Sequence, residues 1–241
     1  MDRALFAAAS GMAAQQQNLD TIANNLANAD VVGFKGSEDV FGALAAPGDS
    51  GVGTVRTGEH ALFTPGKLER SNGPFDVAID GEGFFILKDG ARRAYTRAGE
   101  FSRAADGTLR NAQGWELAGV RIPSDALGAS VTHDGAVTVT TSAGSRVVAR
   151  LQLALFAAPE HLQSADGALF LQTTDSGAPR LVTPGGANGP NLRFGMLERS
   201  NVSIVESMMQ MLTAQRAYEA NAKGIQAADE MLRIADNLQR G

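Results

Sequence analysis

The side chains with which this 241-residue chain could do chemistry are few: three histidines, His60, His133 and His161, and four acids set among glycines, Asp76, Asp80, Glu82 and Glu100. Histidine serves as general base near neutral pH and as a metal ligand. Here the three stand far apart, with no second histidine or carboxylate at metal-ligand spacing, and ordinary surface or edge positions are expected. Paired carboxylates cut glycosidic bonds when one keeps a proton and the other does not, so the four acids sketch a glycosidase. Acids flanking glycines in hairpins commonly satisfy backbone donors or face water, and that reading is preferred. Gly81-Glu82-Gly83 opens like a dinucleotide-binding loop, but Ile86 takes the place of the third glycine and a strand follows where a helix is needed. A tight turn is expected instead. There is no phosphate-loop lysine pattern and no nucleophile elbow. The expectation is a non-enzyme with no catalytic, cofactor or metal site.

Composition narrows the partners. The absence of cysteine excludes disulfides and thiolate metal sites. A formal net charge of -5 with no block of like charges offers no phosphate-tracking surface, so nucleic acid is not expected. The longest apolar runs, 4–9 and 153–158, fall far short of the roughly 20 residues of a spanning helix, which argues against an integral membrane protein. Arg3 ahead of an alanine-rich stretch looks like the start of a secretory signal. Asp2 cancels that charge and helical spacing runs through the would-be cleavage region, so the N-terminus is read as retained.

The residues that do show a pattern lie at the two ends. Leu5, Met12, Leu19 and Leu26 are spaced by seven, with Ala8 or Ala9, Gln15 or Gln16, and Ile22 or Ala23 at the intervening heptad positions. Asn28, Asp30 and Gly33 follow, a place for the chain to leave helical geometry through a turn or a left-handed residue. At the other end Ile204, Met211, Tyr218, Ile225 and Leu232 repeat the spacing, and Ala214, Asn221, Ala228 and Ala235 lie three residues after the second to fifth of them. The spacing predicts a helix over about 202–238, capped by Ser200 or Asn201, with Glu206 and then Arg233 and Arg240 complementing its dipole.

Between the ends, Gly, Pro and Asp-Gly pairs punctuate short β-branched and aromatic runs, which is all-β texture. Candidate strands cover 75–79, 84–87, 94–97, 114–122, 137–141, 146–156, 169–172 and 192–197. Asp89-Gly90, Asp106-Gly107, Asp134-Gly135 and Asp166-Gly167 mark turns. Residues 36–66, rich in Gly, Ala and small polar types, read as an extended connector ordered mainly by its neighbours. The expected fold is mixed, α plus mainly β, with long N- and C-terminal helices pairing as a coiled coil and a central all-β domain between them in the chain. The expected boundaries are 1–32, 33–68, 69–198 and 199–241.

A seam this narrow and rich in alanine buries little apolar area, and isolated helices of such length are marginal in water. Each helix needs the other, and a hairpin of two stays weak until further subunits cover it. Head-to-tail contacts among many copies would then build a tube. The bland alternative is a hairpin buried inside a monomer; spacing alone does not separate the two.

Four stretches carry a resemblance. Ala23-Asn24-Asn25-Leu26-Ala27-Asn28-Ala29-Asp30-Val31-Val32-Gly33-Phe34-Lys35 resembles the N-terminal signature of flagellar rod and hook proteins, differing at Val31 and Val32, where that family usually has polar residues or Pro. Asp76-Val77-Ala78-Ile79-Asp80-Gly81-Glu82-Gly83-Phe84-Phe85, Tyr95-Thr96-Arg97-Ala98-Gly99-Glu100-Phe101 and Gln215-Arg216-Ala217-Tyr218-Glu219-Ala220-Asn221 resemble the same family in the same order. The resemblance implies a structural subunit of the basal-body rod that assembles with copies of itself and with other rod and hook proteins. Ring proteins and the export apparatus are further implied partners. It also implies a periplasmic place reached by type III export without signal cleavage. The stretch from Ile122-Pro123 through Gly177-Ala178-Pro179 to Leu197-Glu198-Arg199-Ser200-Asn201-Val202 looks like a distal-rod subunit; Met1-Asp2-Arg3 and the short connector look like a proximal one. The assembly interface is expected at Leu5, Met12, Leu19, Ile22, Asn24, Asn25, Leu26, Asn28, Gly33, Phe34, Ile204, Met208, Met211, Gln215, Arg216, Tyr218, Asn221, Ile225 and Leu232. A β-rich binding module on a helical stalk and a wall-cleaving glycosidase are the rival readings.

Overall fold

The structure, a computed structural model, describes residues 2–44, 53–186 and 189–240, with the side chains of 2–4, 232 and 235–240 outside that description. The chain divides into a helical unit, Met1–Ala27, Ser37–His60 and Val202–Gly241, and a β unit, Asn28–Gly36 and Ala61–Asn201.

In the helical unit, α1 (Asp2–Ala27) and α2 (Ile204–Arg240) pack together, as their shared seven-residue spacing anticipates. The fold class is that expected: a helix at each end and all-β material between. Small residues set the closeness of the helix pair. Ala14 and Ile22 of α1 and Ser207, Ala214 and Ala228 of α2 are buried, and a Cβ on Gly11 would stand 3.0 Å from Asn221 Nδ2. The helix-capping expectation needs correction. Ser203, not Ser200 or Asn201, caps α2, its Oγ accepting the Glu206 N–H at 3.4 Å. The helix starts later because Asn201 is committed to hydrogen bonds within the β unit. The stretch read as an extended connector holds two paired strands, β1 (Ser37–Leu44) and β2 (Gly53–Ala61), of which β1 also lies against α1. Residues 45–52 of that stretch lie outside the described residues. Composition did not disclose these strands because side chains of α1, distant in sequence, fix their backbone.

In the β unit the largest sheet runs in the order Gln163–Ser164, Leu169–Leu171, Arg92–Thr96, Phe84–Asp89, Glu116–Arg121, Thr108–Arg110, Ser102–Arg103, and Leu153–Leu155 bridges Phe84–Asp89 to Arg180–Val182. Alternation along the central strand places Phe85 and Leu87 in one core, with Leu117, Leu153 and Leu169, and Phe84 and Ile86 in a second, with Tyr95 and Phe170. Burial on both faces is why 84–87 reads as an unbroken apolar run. Two predicted strands are each split. The run 146–156 becomes Gly144–Arg150 and Leu153–Leu155, which pair in different sheets. The run 192–197 breaks at Gly195, whose φ of 70° turns the chain between Asn191–Phe194 and Met196–Glu198. The four Asp-Gly pairs do form turns, each with its glycine at positive φ.

Candidate assembly elements and a buried charge cluster

After Ala27 the chain enters the β unit through the turn Asn28–Val31 and reaches Gly33, whose φ is 67°. Glycine is needed there twice over: the left-handed conformation disfavours a side chain, and a Cβ would stand 2.2 Å from the Ala98 nitrogen. This close approach delivers Lys35 into the interior. Its Nζ donates to Glu198 Oε1 at 2.7 Å and to the Thr64 carbonyl at 2.7 Å, with both side chains of the ion pair 1% exposed. Arg97 completes the cluster, Nε donating to Glu198 Oε2 at 2.8 Å and Nη1 to the carbonyls of Gly81 and Gly83 at 2.8 and 2.6 Å. Gly66 N–H adds a third donor to the carboxylate at 2.8 Å, and Gly33 N–H donates to the Glu198 carbonyl at 2.7 Å.

Two cations thus share one carboxylate, and the carbonyls of Thr64, Gly81 and Gly83 accept further donors of the same two side chains. Desolvation holds the Lys35 ammonium below the usual lysine range, with Glu198 working in the opposite direction. Asn201 ties the adjoining segments: its Oδ1 accepts the Gly36 N–H at 2.9 Å, and its Nδ2 donates to the Leu62 carbonyl at 2.6 Å. Gly81-Glu82-Gly83 is therefore a turn whose carbonyls grip an arginine, and a strand follows it. Lys35, Arg97 and Glu198 were missing from the residues picked out by spacing. Their one sequence signal was a charged residue kept inside three separate motifs.

In the helical unit, Asn25 offers the Ser37 backbone both partners a strand would: Nδ2 donates to its carbonyl at 2.8 Å and Oδ1 accepts its N–H at 2.9 Å. The Asp39 carboxylate accepts from Thr21 Oγ1 at 2.8 Å and from Arg56 Nε. Ser10 Oγ accepts the Thr54 N–H at 3.1 Å. Three points on α1 therefore hold β1 and β2.

The remaining expected interface residues are distributed as follows. Ile22 is buried; Leu5, Met12, Leu19, Leu26, Asn28, Met211, Asn221 and Ile225 are half-buried, and Asn24, Ile204, Met208, Gln215, Arg216 and Tyr218 are exposed. Gly33 and Phe34 belong to the β unit and are buried there. The Leu232 side chain lies outside the described residues. Successive helical residues turn by about 100°, so Val205, Met208, Met209 and Leu212 occupy the side of α2 away from buried Ser207 and Ala214. They are 69, 51, 59 and 56% exposed, and Ile204 beside them is 44% exposed. Val205, Met209 and Leu212 fall off the heptad seam, which is why spacing passed over them.

The acids considered above have local partners or face water. Asp76 accepts a hydrogen bond from Ser71 Oγ, Asp80 pairs with Arg193 at 2.9 Å, and Glu82 and Glu100 are exposed. Among the described residues no group of three or more His, Asp or Glu is arranged to hold a metal, and no helix is long and apolar enough to cross a membrane.

Three family models match the chain: "Flagella basal body rod protein" over residues 5–35, "Flagellar hook protein FlgE/F/G D1 domain" over 78–139, and "Flagellar basal body rod FlgEFG protein C-terminal" over 194–238. The chain is 38% identical over 265 residues to the flagellar basal-body rod protein FlgG of Borreliella burgdorferi, covering 100% of both chains. It is 36% identical to that of Agrobacterium fabrum, over 96% of this chain and 97% of the relative. The flagellar basal-body rod protein FlgF of Caulobacter vibrioides is 34% identical over 98% of this chain and 97% of its own.

Proposed function

The chain belongs to the flagellar basal-body rod protein family and is a structural subunit of that rod, and we propose that it polymerises by docking a second copy of itself on the outward face of the first three turns of α2. The observation that carries this is the run of Ile204, Val205, Met208, Met209 and Leu212, exposed on consecutive turns. Fully burying a Val, Leu or Met side chain is worth about 1.5–3 kcal/mol, so a cluster of them left in water marks a surface made to be covered. On this reading the heptad seam, with Met12, Leu19, Ile22, Met211, Asn221 and Ile225, holds α1 to α2, and the outward stripe recruits the neighbour. Identities of 30 to 38% to FlgG proteins bracket the 34% to a FlgF protein, so the FlgG kind is the assignment that the rescue below decides.

The test uses a host lacking its FlgG-type subunit, rescued with the full chain or with Leu212→Asp. A carboxylate buried unpaired at this face should lower the amount of chain in isolated basal bodies about tenfold or more. Normal incorporation and swimming in the variant would sink the docking face, and failure of the unaltered chain to rescue would sink the FlgG-type assignment.

We read the chain as non-enzymatic and as working in the periplasm beside ring proteins and the export apparatus, after export without signal cleavage. Two observations support the first and the last of these, the non-enzymatic reading and the uncleaved N-terminus. The acids that sketch a glycosidase are partnered locally or exposed, and a cut within the alanine-rich stretch would remove α1 residues that pack against α2.

A further inference from the structure

We infer that Met208 and Met209 form an oxidation site on the unassembled chain, where a two-electron oxidant of the peroxide class converts both thioethers to sulfoxides and closes the docking face. The inference rests on the reading of α2 just given.

The chain has no cysteine, so its methionine thioethers are its most readily oxidised side chains, and access decides which react first. Met208 and Met209 are 51 and 59% exposed, whereas Met211 in the next turn and Met12 on α1 are half-buried along the helix seam. Met231, 56% exposed, stands far along α2 from the stripe and is an internal control for access without docking. In the reaction the sulfur lone pair attacks one peroxide oxygen. The S–O bond forms as the O–O bond breaks, the second oxygen leaves as water after taking the proton, and sulfur loses the two electrons that peroxide gains. No bond of the chain is cut.

The product puts a strongly polar S=O group between Val205 and Leu212. In water it is hydrated; under a docked copy it loses that hydration, most completely at Met208, whose neighbours one turn away on α2 are Ile204, Val205, Met211 and Leu212. Because both side chains point away from the α1 seam, oxidation leaves the helix pair itself intact. A docked copy in turn covers the sulfurs, so assembly protects what oxidation would block.

The experiment takes purified full-length chain in three states: untreated, treated with hydrogen peroxide, and treated and then repaired with methionine sulfoxide reductases A and B. Peptide mapping reads each methionine, circular dichroism reads helix content, and sedimentation of tagged with untagged chain reads self-association. The expected result is sulfoxide at Met208, Met209 and Met231 before Met211 and Met12, unchanged helix content, association weakened about tenfold, and recovery after repair. Equal oxidation of Met211, loss of helix content, or association that survives full oxidation of Met208 and Met209 would each overturn the inference while leaving the docking face standing. Untreated chain that never self-associates would instead overturn the docking reading, and this inference with it.

Discussion

Glu198 shows how much one side chain can hold in place. Its carboxylate accepts from Lys35, Arg97 and Gly66, all within the β unit, while exposed pairs such as Arg199 with Glu69 and Arg110 with Asp106 are solvated on both sides and contribute little. Breaking a buried pair leaves an uncompensated charge, so Glu198→Gln should cost about 3–5 kcal/mol, read as a lowered urea midpoint followed by Trp115 fluorescence. A loss under about 1 kcal/mol would show that the carbonyls of Thr64, Gly81 and Gly83 suffice for the two cations. Asn25 works by a different principle: an amide carries donor and acceptor together, so it can stand in for a strand neighbour at Ser37. Asn25 belonged to a motif visible in the sequence; its target did not.

The helices and turns are governed by local rules that glycine makes testable. Gly33 sits at positive φ against the Ala98 backbone, whereas Gly224 lies inside α2 with nothing within 4 Å of where a Cβ would be. Gly33→Ala should therefore be strongly destabilising, and Gly224→Ala should raise the stability of the isolated chain by about 1 kcal/mol through helix propensity. Thermal melts of the two variants would check the opposite signs; a destabilised Gly224→Ala would mean that α2 is already in contact with something at that position. The same locality explains which strands could be foreseen. Runs bounded by Asp-Gly turns were visible, but strands of two or three residues such as Ser102–Arg103 and Leu68–Arg70 are too short to show a period.

The two units differ in what they bury. The β unit closes two apolar cores around Phe84–Asp89, whereas the buried side chains of the helix pair, among the described residues, are Ala14, Ile22, Ser207, Ala214 and Ala228. Unfolding should therefore not be two-state: far-UV helical signal should be lost at lower urea than the fluorescence of Trp115, the one tryptophan, which lies in the β unit. Coincident transitions would show that the helical unit has no separate stability. Much of this organisation follows from the order of residues alone. Seven-residue spacing produces a helix at each end, Asp-Gly pairs produce the turns, and the scarcity of convergent reactive groups argues against catalysis, because each is a property of neighbouring residues. Folding was required for the rest. Lys35 meets Glu198 across 163 positions and Arg97 meets it across 101, a pairing that no local period encodes. Which apolar face of α2 stays open likewise depended on where α1 packs, since a helix with apolar residues on two sides does not disclose which side its own partner will take.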